Sequence, residues 1–141
     1  MSIQTILLPL FAQVALTLGL LLWLAELRRR DLMGGAVRLS QIAMREPNWS
    51  PRAMQASYAF SNQFEVPVLF YLLTVLVVIT RQADTLFVIL AWIFVALRIL
   101  QAWVYITANN VRYRGGYYFV GAIVLIVMWI IFIARILIAA P

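Results

Sequence analysis

The chain has 141 residues, 65% of them hydrophobic and 11% charged, with 11 basic side chains against 5 acidic ones and a formal charge of +6. A water-soluble domain of this length needs far more polar surface to cover itself, so the solvent for most of the chain is lipid. Every cation is an arginine, and the absence of Lys, His and Cys excludes disulfides, the usual zinc and haem ligand sets, a cysteine nucleophile and a histidine base.

Four apolar stretches, at about residues 3–27, 54–80, 85–108 and 117–139, each reach the roughly 20 residues that a helix needs to cross a bilayer. They predict one all-α domain over residues 1–141, an integral membrane four-helix bundle. In the first stretch the basic cluster "RRRD" follows the apolar run and no A-x-A cleavage pattern appears, so the segment reads as a retained anchor.

The connection over residues 28–53 carries Arg28, Arg29, Arg30, Arg38, Arg45 and Arg52. Arg112 and Arg114 follow the third span, whereas the second turn has only Arg81 and Asp84. The positive-inside rule then makes the first and third connections cytoplasmic and both termini non-cytoplasmic. Arg135, near the outer end of the last span, is expected to snorkel to the headgroups. Arginines that flank apolar runs suit topology and anionic lipid, not nucleic acid. Within the first connection, "VRLSQIAMRE" predicts a short amphipathic surface helix. "WSP" predicts the next helix start, with Ser50 as N-cap and Pro51 at the first helical position.

The second span contains "SNQFEVPVLFY", residues 61–71. Asn62 and Glu65 are three apart and share a helix face with Tyr58 and Leu69. An ionised carboxylate at mid-bilayer costs roughly 2.5–3.5 kcal/mol, so Glu65 is expected to turn inward and find a cation. Pro67 removes a backbone N–H and predicts a kink beside it. In the third span Arg98, Gln101 and Tyr105 line one face, and a Glu65–Arg98 pair is the leading expectation. Beyond it, "NNVRYRGGYY" adds Asn109, Asn110, Arg112, Tyr113, Arg114 and Tyr117, groups suited to carboxylates or a thiolate. The plainer reading makes Glu65 and Arg98 an interhelical tie, Asn62 structural glue, and Arg112 and Arg114 topology anchors. Convergence of the two stripes on one arginine-rich end favours a site.

"NQFEVPVLF" and "RILQAWVY…NNVRYR" resemble the MAPEG family, the membrane-associated proteins of eicosanoid and glutathione metabolism. Length, four spans and the basic first connection agree with it. The resemblance implies a homotrimer that binds glutathione between adjacent subunits toward the cytoplasmic side. Asn62, Glu65, Arg98 and Tyr105 match the family pattern, and Gln101 falls where relatives place a His or Tyr. Arg114 matches the arginine that stabilises the glutathione thiolate, with Arg112 the alternative register. Arg28, or one of its two neighbours, resembles the arginine at the end of the first helix.

Three departures stand out: Tyr58 where relatives carry an Arg, Val66 after the Glu, and Gly115 after the Arg. The implied function is a membrane-bound, glutathione-dependent transferase or peroxidase acting on lipophilic electrophiles, surrounded by membrane lipids and placed in a bacterial inner membrane. A non-enzymatic MAPEG-like trimer binding a lipid or small anion is the alternative. A proton-coupled exporter built on Glu65 is the third, and the long basic connection and the Arg98–Tyr105 stripe weigh against it.

Overall fold

The computed structural model describes residues 1–45 and 47–139. Five helices form it: α1 (Ile3–Met33), α2 (Pro51–Ser61), α3 (Val66–Ile79), α4 (Thr85–Ile106) and α5 (Val111–Ala139). A single 3₁₀ turn, Asn62–Phe64, joins α2 to α3, so the two make one interrupted span. Four spans result, each long and apolar enough to cross a membrane. No strand occurs among the described residues.

Local chemistry sets the helix starts. Ser2 accepts from the Thr5 N–H at the head of α1, Ser50 from Ala53 ahead of Pro51, and Asp84 from Phe87 at the head of α4. Each cap satisfies one of the N–H groups that a first turn leaves unpaired. With 31 residues, α1 is about 47 Å long at 1.5 Å per residue. That exceeds a hydrocarbon core of about 30 Å, so α1 carries its arginines beyond the apolar layer. The surface helix expected in the first connection is reduced to a 3₁₀ turn at Leu39–Gln41. Asp31 holds the connection at two points instead: its carbonyl accepts from Val37 N, and its carboxylate accepts from Ser50 N at 3.0 Å.

The bundle has a basic end, where the arginine-rich connection and the α4–α5 turn meet, and a terminal end, which holds the start of α1, the end of α5 and the α3–α4 turn. The terminal half has an apolar core. Phe70 stacks on Phe94 with centroids 4.9 Å apart, and Leu73, Val77, Phe87, Ala91, Leu125 and Met128 close around them. In the basic half α2 presents Ala53, Ala56 and Ala59, all buried, to Leu20, Leu24 and Leu27 of α1 and Ala102 of α4. Small side chains let backbones approach, which is how helices associate when lipid removes the hydrophobic drive.

At the terminal rim, Arg135 pairs with Asp84 at 2.7 Å and points a second N–H at the Gln82 carbonyl. It thus ties α5 to the α3–α4 turn instead of extending to headgroups alone. Partial burial would raise the Asp84 pKa. The bonds from Arg135 and from the Phe87 N–H outweigh that and hold the carboxyl below its ordinary value.

Candidate functional site

The break in the second span follows from its sequence. Pro67 has no N–H to offer the Gln63 carbonyl, the chain tightens to 3₁₀ over Asn62–Phe64, and Glu65 leaves helical geometry at φ −98°, ψ −104°. The buried stripe of this span runs through Ala56, Ala59, Gln63, Pro67, Phe70 and Thr74. It does not run through Asn62 and Glu65.

The expected Glu65–Arg98 ion pair is therefore absent. Glu65 stands on the protomer surface and makes no ion pair among the described residues. Arg98 itself is 0% exposed. Its Nη2 donates to the main-chain carbonyl of Asn62 at 3.1 Å, and its guanidinium lies over the Tyr118 ring, 5.3 Å from the centroid. The turn supplies the acceptor that the carboxylate was expected to supply. Asn62 serves through its backbone, and its side chain is only half-buried.

A polar seam surrounds this contact. Gln13 of α1 donates to Gln63 Oε1 at 2.7 Å, and Gln63 passes a bond to the Ala59 carbonyl at 3.0 Å. Both glutamines are buried, as is Gln101 one turn beyond Arg98. Arg98 Nε and Nη1, Gln13 Oε1 and Gln101 Oε1 are all buried and lack a partner among the described residues. Gln13 and Gln63 carry more of the interior than the sequence reading gave them. The signal was available for both: Gln13 is an isolated amide in the first span, and Gln63 sits in register with the alanines at 53, 56 and 59.

At the basic end a second group forms. The Arg114 guanidinium lies over the Tyr105 ring at 4.2 Å, and its Nη1 donates to the Asn109 side chain, whose residue takes φ +50°. Tyr58 approaches Tyr105 with centroids 6.4 Å apart. Arg112 points away and is exposed, its backbone N–H held by the Asn110 side chain at 3.1 Å. Of the two registers, Arg114 is the one packed against the third-span tyrosine.

Among the three arginines closing α1, Arg28 is the one that turns in. Arg29 and Arg30 both bind Glu26, at 2.7 and 2.9 Å. Arg28 donates to Ser57 Oγ at 3.3 Å and faces the Trp49 indole at 4.9 Å. The structure thus brings Asn62 to Arg98, Tyr105 to Arg114, and Arg28 to α2. It leaves Glu65 and Arg112 on the surface. The Arg114 guanidinium and the Tyr105 and Tyr58 phenols at the basic end suit a ligand bearing a carboxylate. Arg114, half-buried with the Tyr105 ring beneath it, is suited to stabilising a thiolate.

The MAPEG family model matches residues 6–134, nearly the whole chain. No individual curated protein and no solved structure matches it.

Proposed function

The chain belongs to the MAPEG family, and on that footing we propose that it is a membrane-bound glutathione-dependent transferase or peroxidase acting on lipophilic electrophiles. The observation that carries the reading is the Arg114–Tyr105 stack at the basic end, in a chain with no thiol of its own. Thiol chemistry must then arrive on a cosubstrate, and a guanidinium beside the sulfur favours the reactive thiolate. In a transferase step the sulfur–carbon bond forms as the electrophile's leaving group departs. Arg28, Asn62, Glu65, Arg98, Gln101 and Tyr105 are the residues we assign to holding the peptide. The exposed Glu65 fits a homotrimer in which the neighbouring subunit completes the site.

The test is conjugation of an aromatic halide, and reduction of a lipid hydroperoxide, by the detergent-purified protein with glutathione. Arg114→Ala is expected to lower the rate about 100-fold, as loss of one preorganised electrostatic donor does. Arg112→Ala is expected to lower it less. An Arg114→Ala protein with the wild-type rate refutes the assignment. A second reading, a non-enzymatic trimer that binds a lipid or small anion, is favoured by Tyr58 standing where relatives carry an arginine. Stabilisation of the protein by glutathione at millimolar concentration argues against it.

A further inference from the structure

The break between α2 and α3 is tied to α1 by an amide. Gln13 Nε2 donates to Gln63 Oε1 at 2.7 Å, and Gln63 Nε2 donates to the Ala59 carbonyl at 3.0 Å. We propose that Gln13 is a positioning residue for glutathione binding: through Gln63 it fixes the rotation of the Asn62–Phe64 turn, and with it Arg98 and Glu65. For glutathione the role rests on the activity proposed above; for the turn it rests on the fold alone. Gln13 is 0% exposed and stands about 22 Å along α1 from Arg28 at 1.5 Å per residue. No peptide reaches it, so it acts through Gln63.

The Asn62 carbonyl is where the tie takes effect. It accepts the Glu65 N–H at 3.3 Å and Arg98 Nη2 at 3.1 Å. Its direction therefore sets the backbone from which Glu65 emerges and the acceptor that Arg98 meets. Of the three side chains in the turn, Gln63 is buried, Asn62 half-buried and Phe64 exposed. Pro67 withholds the N–H that would continue a regular ladder below the turn, so the break needs a bond from outside its own helix to hold one setting. A hydrogen-bonded amide pair in a dry interior supplies that, whereas apolar contacts in lipid let the turn roll.

Helix association alone does not call for these two amides. The alanines at 53, 56 and 59 already bring α2 against α1 and α4. Two apolar side chains of the same shape would pack there at little or no loss. The amides also leave Gln13 Oε1 buried without a partner among the described residues, a desolvation cost that a hydrocarbon contact avoids. What they supply and hydrocarbon cannot is a direction.

The experiment varies glutathione against an aromatic halide with the full chain in detergent, and follows backbone amide exchange in the glutathione-free protein. Gln13→Leu is expected to raise KM for glutathione about three- to fifteenfold, the equivalent of one hydrogen bond between membrane helices. The value of kcat, which belongs to Arg114, should change by less than about twofold. Exchange over residues 62–65 should quicken by a similar factor to KM while that of α5 stays unchanged. Gln13→Glu, whose buried carboxyl stays protonated and keeps a donor for Gln63 Oε1, should return both readouts to within about twofold of the wild type. The double variant Gln13→Leu, Gln63→Leu should recover thermal stability and keep the raised KM. A wild-type KM in Gln13→Leu overturns the proposal, as does unchanged exchange over the turn. Recovery of KM together with stability in the double variant also overturns it, because the amides then only pack. A wild-type protein that does not turn over with glutathione refutes the proposed activity instead, and the exchange rates alone then decide the positioning role: quickened in Gln13→Leu they support it, unchanged they overturn it.

Discussion

The two halves of this bundle bury different chemistry. In the terminal half, rings and aliphatic chains fill the interior, and its charged groups sit at the rim, where Asp84 meets Arg135. In the basic half the interior holds Gln13, Gln63, Arg98 and Gln101 behind a row of alanines. The first half has the order expected of tight packing alone. Among the described residues the second keeps atoms of Gln13, Trp23, Arg28, Arg98 and Gln101 without partners, against the Trp129 indole N–H in the first, and its second span is broken at Asn62–Phe64. A bundle in lipid tolerates such a break only where protein or a water-filled cavity meets it, and intramembrane ionisable groups mark function by default. The dry half is thus the scaffold, and the polar half is where the proposed site lies.

Substitutions can break or sharpen that contrast. Phe94→Ala removes the ring stacked on Phe70 and should cost the most stability, about 3–5 kcal/mol, read by thermal unfolding in detergent. Any protein that remains folded should keep its glutathione response. Arg114→Ala should do the reverse, with a rate loss of about 100-fold, near 2.7 kcal/mol of transition-state stabilisation, and an unchanged melting temperature. If both variants lose stability and rate in proportion, the division into scaffold and site is wrong.

Gln13→Leu leaves Gln63 Oε1 without its donor and should cost about 0.6–1.7 kcal/mol, the range for hydrogen bonds between membrane helices. Repair by Gln63→Leu in the same chain, measured as a double-mutant cycle, would show that the amide pair contributes little beyond satisfying itself. The smallest effect belongs to the rim. Because the Asp84 pKa is held below its ordinary value, its contribution is present above about pH 4 and fades as pH falls through the lowered value. Asp84→Asn should flatten that acid limb and change neutral-pH stability by less than about 1 kcal/mol.

Particular residues show how far the sequence could be read. Ser50 and Pro51 announced a helix start, and the caps obey it. Pro67 announced a kink, and the span breaks there. Arg98 was expected inside because a guanidinium cannot face hydrocarbon cheaply, and it is fully buried. Its partner was misjudged. The sequence pairs unlike charges, but Asn62 offered a main-chain carbonyl that only the 3₁₀ turn sets free, and no side-chain pattern encodes that acceptor. Arg28, Arg29 and Arg30 were equivalent as letters. Glu26, one helical turn back, claims two of them and leaves Arg28 to face Ser57.

Composition and span length were enough to decide that lipid is the solvent, that four helices cross it, and that the arginines gather at one end. Those properties depend on how many apolar residues stand in a row, which is a property of the chain itself. Which side of the second helix faces inward was left to the tertiary structure. In water a polar stripe marks the outside, but in lipid both sides of a helix are apolar, and periodicity loses its sign. The alanines at 53, 56 and 59 settled the direction by allowing close approach to α1 and α4. That rotation put Gln63 and Pro67 in the interior and Glu65 on the surface.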